Sequence, residues 1–132
     1  MNISRVLFIV ARLLAALIML QTLYFKFTGA EESIYIFSTV GMEPWGRYLV
    51  GVSELVASVL LLGAGTAVFG GVIAIGLMLG AVGMHLTILG IEVQGDGGYL
   101  FILALVVLLC SVYVVFYKKE SLLTLLSRLA GR

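Results

Sequence analysis

Apolar residues in this chain come in four long, nearly unbroken runs, and the segments between and flanking them hold most of the charge. The runs fall at roughly 6–25, 45–63, 69–88 and 99–117, close to the about 20 residues needed to cross about 30 Å of hydrocarbon. Lipid offers no hydrogen bonds to an exposed backbone, so each run must be a closed helix or part of a closed barrel. Barrel strands alternate and span in about 10 residues, which these continuous runs do not do. The pattern therefore predicts an all-α polytopic membrane protein, a four-transmembrane-helix bundle occupying 1–132 as a single domain.

The connecting segments carry weaker patterns. The link between the second and third runs, Gly63 to Gly71, is short and uncharged, which predicts a tight helical hairpin. In the linker from Gly29 to Pro44, Ile34, Phe37 and Val40 recur near helical spacing behind Glu31 and Glu32, acids that suit a helix N-terminus. A short outer interfacial helix is expected there, ended by Gly41, with Pro44 in the first turn of the second span. The segment 118–132 places Leu122, Leu125, Leu126 and Leu129 on one face with Lys119 and Arg128 available to headgroups. It reads as an amphipathic cytoplasmic tail that rides on the inner leaflet or extends the fourth span. Arg12 interrupts the first run and no small-x-small site precedes a polar start, so this run is expected to be a permanent helix and not a cleaved signal.

Composition agrees with the pattern and charge adds direction. The chain is 62% hydrophobic and 11% charged, with a mean hydropathy of +1.20, far from the balance of a soluble domain. Arg5 and Arg12 open the first span and Lys118, Lys119, Arg128 and Arg132 follow the fourth, whereas Glu31, Glu32, Glu43, Glu92 and Asp96 lie in the other linkers. Positive charge marks the cytoplasmic side, so both termini of this multi-pass cell-membrane protein are expected inside. Tyr24, Trp45, Tyr48 and Tyr99 then fall near the outer interface, and Tyr113 and Tyr117 near the inner one.

Span three is rich in glycine. Gly76 and Gly80, with Gly83 nearby, form a small-xxx-small pattern that lets helices approach closely, predicting packing inside the bundle or, alternatively, a homodimer seam. A faint repeat sets Met19, Leu20, Lys26 and Thr28 at the same offsets as Met78, Leu79, His85 and Thr87, which would bring Lys26 and His85 to equal depth on parallel helices.

Ionisable groups inside spans are costly, which makes Arg12, Glu54 and His85 the candidates for function. Glu54 lies near the midplane of its span and must be paired, hydrated or protonated. The expected partner is Arg12 first, with His85 or Gln21 as alternatives; Arg12 snorkelling to the headgroups is the competing reading. Lys26, at a membrane boundary, is expected to snorkel. Lys26, His85 and Glu54 can line one pocket from the outer interface to the midplane, with Tyr24, Trp45 and Tyr48 at its mouth. Glu54 and His85 are the candidate catalytic residues, and Arg12, Gln21, Lys26, Trp45, Glu54 and His85 the candidate ligand-binding set. Cys110 is the only cysteine, so dithiol exchange within the chain is excluded, as is bis-histidine haem ligation with a single histidine. No group of residues has metal-ligand spacing.

Arg12 with Leu13-Leu14, Lys26 before Thr28-Gly29, Gly51-Val52-Ser53-Glu54 and the closing His85 together make the chain resemble the DoxX/DoxD-like family of small four-helix membrane proteins. The resemblance runs from Arg12 to about Tyr117. It implies a four-helix bundle in a membrane redox process, as an accessory or small subunit in quinone-linked sulfur, thiol or oxidative-stress chemistry, with a quinone as candidate cofactor. Expected partners are the bilayer, membrane redox proteins and a second copy of the chain; no nucleic acid is expected. Two other functions fit the residues: a non-catalytic scaffold or assembly factor, and a minimal transporter or channel.

Overall fold

The computed structural model describes residues 2–131, and among these it is helical without strands. Helix α1 (Ile3–Thr28) starts where the Asn2 side chain accepts the Arg5 amide and stops where Gly29 turns left-handed at φ 69° and returns its N–H to Phe25. Its 26 residues extend about 39 Å, longer than the apolar run alone. The predicted short helix is present as α2 (Glu31–Thr39), with Ser33 and Phe37 as its buried positions, one turn apart. Gly41, at φ 79°, follows it.

Helix α3 (Trp45–Leu62) and α4 (Ala67–Met84) are joined by four residues, 63–66. The Thr66 hydroxyl donates to the Leu60 carbonyl at 2.7 Å, satisfying one of the groups that the end of α3 leaves open. Helix α4 widens into one π-helical turn, His85–Leu89, before Gly90 ends it at φ 83°. Helix α5 (Tyr99–Tyr117) returns through the bundle, and α6 (Lys119–Leu129) breaks away at Lys118 as a separate helix with no buried residue. α1, α3, α4 with its π turn, and α5 are the four helices long and apolar enough to cross a membrane.

The four long helices close a ring in which α1 and α4 each pack against both α3 and α5. Helix α2 lies across one end, against α1, α3 and the π turn, while the start of α1 and the end of α5 occupy the other end. Small side chains set the helix spacing. Ala15, Ala16, Ala57, Ala67 and Ala74 are fully buried, with Leu61 and Val114 filling the space between them.

The expectation that Gly76, Gly80 and Gly83 pack the bundle is not met: a Cβ at any of them would meet nothing within 4 Å. The close approach occurs about one and a half turns before Gly76. A Cβ on Gly70 would come within 2.6 Å of the Ala57 carbonyl oxygen, and one on Gly71 within 2.8 Å of Val115. These glycines let α4 lie directly on α3 and α5.

Asp96 organises the loop before α5. Its Oδ1 accepts the amides of Val93 at 3.0 Å and Gly98 at 2.8 Å, and its Oδ2 that of Leu100 at 3.2 Å. Partial burial alone would raise its pKa, but the three backbone donors outweigh it and hold the carboxyl below its ordinary value of 3.8. A lowered folded pKa gives stability that is present above the unfolded value and lost as pH falls through the folded one. Amide-exchange protection of Val93, Gly98 and Leu100 should therefore persist near neutrality and decline in acid below about pH 3.8. Asp96→Ala should remove it at neutral pH; unchanged protection in that variant would refute the arrangement.

Candidate functional site

Glu54 sits midway along α3 and is only 2% exposed. Burying a carboxylate there requires compensation, and α1 supplies it from two residues one turn apart. Lys26 Nζ lies 2.8 Å from Oε1, and the Thr22 hydroxyl lies 3.3 Å from Oε2. The expected pairing with Arg12 is thus replaced by Lys26, whose stem folds inward along α1 instead of snorkelling outward. Thr22, which the sequence reading did not single out, shares that face of α1 by its i, i+4 spacing to Lys26.

Arg12 lies at the opposite end of the bundle and neither pairs with Glu54 nor snorkels freely. Its guanidinium donates to the carbonyls of Leu61 at 3.1 Å and Leu62 at 2.7 Å, capping the C-terminus of α3, where a cation is favoured. A reciprocal contact closes the other end of the same helix pair. Arg47, 5% exposed in the first turn of α3, donates to the Lys26 carbonyl near the end of α1. Its Nε bonds both Glu43 oxygens at 2.9 Å. The i, i+4 spacing of Glu43 and Arg47 was the sequence signal for this pair.

His85 opens the π turn and is 5% exposed. Its Nδ1 lies 2.9 Å from the Gly90 carbonyl oxygen. A carbonyl only accepts, so Nδ1 carries the hydrogen and the neutral ring offers Nε2 as an acceptor. The edge of the imidazole packs against Phe101, with ring centres 5.5 Å apart.

These groups meet at a cavity of about 460 Å³, within the range of small-molecule sites. Thr22, Lys26 and Gln21 line it from α1, Glu54 from α3, Glu32 and Ser33 from α2, and His85 from the π turn. Glu32 presents a buried carboxylate oxygen that has no hydrogen-bond partner. The wall is otherwise apolar and runs along α4 from Gly76 to Leu89, about 20 Å of helix. Of the 5 methionines in the chain, Met19, Met42, Met78 and Met84 line it, and their flexible thioethers adapt to irregular ligands.

The six residues expected to bind ligand are therefore divided. Gln21, Lys26, Glu54 and His85 share the cavity, whereas Arg12 lies at the far end and Trp45, 57% exposed, lines no part of it. Tyr24 and Tyr48 are likewise on the outside, and Phe25, Phe37 and Tyr99 supply the aromatic lining. No family model, characterised protein or solved structure matches the chain.

Proposed function

We propose that this integral membrane protein is a small accessory subunit of a membrane redox process, holding a quinone-like amphipathic molecule in the cavity at the α2 end of the bundle. The observation that carries the reading is the union of a long apolar wall with polar groups from four elements converging on it. Isoprenoid or alkyl chains fit the methionine and leucine wall. A ring bearing oxygens fits the polar end, where Lys26 can donate, the Glu32 carboxylate can accept, and His85 Nε2 can accept a hydroxyl proton. Protonated His85 would still donate through Nδ1 to Gly90, so taking up a proton at Nε2 leaves that contact in place. A bound quinone supplies two-electron, two-proton chemistry; the chain supplies binding, orientation and proton acceptance.

The resemblance of the Arg12, Lys26, Glu54 and His85 segments to the DoxX/DoxD-like family supports the redox assignment, with sulfur, thiol or oxidative-stress enzymes as partners. The basic end carrying Arg5, Lys118, Lys119 and Arg128 supports cytoplasmic termini in the cell membrane. Binding is favoured over conduction because the next layer toward the termini is packed: Ala15, Ala16, Leu61 and Val114 are each fully buried.

Decylubiquinone titrated into purified protein in nanodiscs tests the reading. Saturable binding is expected, and His85→Ala should weaken it by about ten-fold or more, corresponding to about 1.4 kcal/mol for one lost polar contact. Uptake equal to that of protein-free nanodiscs, or identical affinity in the folded His85→Ala variant, would refute it.

A further inference from the structure

A second cavity, of about 310 Å³, lies at the end of the bundle that holds the start of α1 and the end of α5. It differs from the first in its electrostatics. Arg5, Arg12 and Lys118 all line it, brought from two parts of α1 and from the α5–α6 junction, and no carboxylate does. Ion pairs join only Lys26 to Glu54 and Arg47 to Glu43 among the described residues, so these three cations have no anionic partner among them.

Their arrangement holds the charges together instead of letting them disperse. The buried ring of Phe8 stacks on Tyr117 with centres 4.5 Å apart. Arg12 approaches the Phe8 ring centre to 5.6 Å and Lys118 to 5.4 Å. Cation–π attraction offsets part of the mutual repulsion but neutralises neither charge. Arg12 uses one guanidinium nitrogen on the α3 carbonyls, and its Nε is buried with no hydrogen-bond partner. Three converging cations with no carboxylate among them lack a compact anion with several acceptor oxygens.

The geometry points to a binding site for an anionic phosphate group in this cavity, carried on a phospholipid headgroup or free in solution. The cavity lies where the ends of α1, α3 and α5 meet, at headgroup depth for helices of this length, and Ile9 in its wall gives an acyl-linked ligand an apolar neighbour. Phosphate oxygens would accept from the guanidinium groups of Arg12 and Arg5 together, with Lys118 acting as a point charge.

The test is binding of short-chain phosphatidylglycerol, phosphatidylcholine and inorganic phosphate to the full chain in detergent, followed by native mass spectrometry and thermal shift. Phosphatidylglycerol should bind saturably and with salt sensitivity, and phosphatidylcholine far more weakly. Competition by millimolar inorganic phosphate assigns the free anion, and its failure to compete assigns the lipid. Arg5→Gln with Lys118→Gln should weaken anion binding about thirty-fold, the loss of two cations near a charged surface. Lys119→Gln, which removes one charge just outside the cavity, should leave it almost unchanged. Equal affinity for both lipids, full binding by the double variant, or a loss in Lys119→Gln as large as in Lys118→Gln would each overturn the proposal. Arg12 is left intact because it also caps α3.

Discussion

Lys26→Met should destabilise the bundle by about 3–5 kcal/mol, the usual result of leaving one member of a buried ion pair uncompensated. Glu54 is almost fully enclosed, and Thr22 alone provides a single weak hydrogen bond to it. Adding Glu54→Gln to Lys26→Met should restore much of the loss, because a neutral amide can use Thr22 without a counter-charge. Unfolding midpoints in mixed micelles of rising sodium dodecyl sulfate content measure all three. Equal midpoints for the wild type and Lys26→Met would mean that the carboxylate has another partner, and the pairing would be wrong.

The second large effect separates two kinds of glycine on one helix. Gly70→Val should prevent normal assembly, because its Cβ has no room beside the backbone of α3 at Ala57 and Leu61. Overpacking a tight site costs about 1–3 kcal/mol or more, and here the obstacle is main chain, which cannot rotate away. Gly80→Leu should leave the unfolding midpoint within about 0.5 kcal/mol of wild type, as expected where a substitution meets open space. It should instead obstruct the cavity that Gly80 lines and abolish binding of decylubiquinone. Loss of folding in Gly80→Leu, or normal folding in Gly70→Val, would reverse the assignment of these faces.

What the sequence disclosed depended on how much alternation each segment contained. Helices α1 and α3 to α5 were legible because nothing but a membrane span buries so long an apolar run, and α2 because Glu31, Glu32 and Gly41 punctuate it. The interior position of Glu54 followed from the cost of a midplane carboxylate. Its partner did not, since lysine at a span boundary usually reaches outward and only the packing of α1 on α3 turns Lys26 inward. The glycine face was illegible for another reason: α4 is apolar all round, so hydropathy contains no information about its rotation. Gly70 and Gly76 look alike in sequence, yet one touches backbone and the other borders a cavity. The π turn was hidden too, because His85-Leu86-Thr87-Ile88-Leu89 simply continues the apolar run.

The crossed arginine contacts between α1 and α3 restrict how the molecule can move. Arg12 holds the last carbonyls of α3 and Arg47 holds a carbonyl near the end of α1, so the two helices are pinned at both extremities. Sliding one past the other by a single turn, about 5.4 Å, would break both anchors at once, taking the α3 carbonyls from Arg12 and leaving Arg47 with Glu43 alone. This pair therefore behaves as a fixed jaw. The opposing wall has no arginine anchor of that kind: α4 borders the cavity at Gly76 and Gly80, and its π turn is held by the His85–Gly90 contact and by packing on Phe101 and α2. Any breathing that widens the cavity falls more easily to that wall than to the pinned pair, and the histidine that opens its π turn is the same side chain that lines the space for a guest.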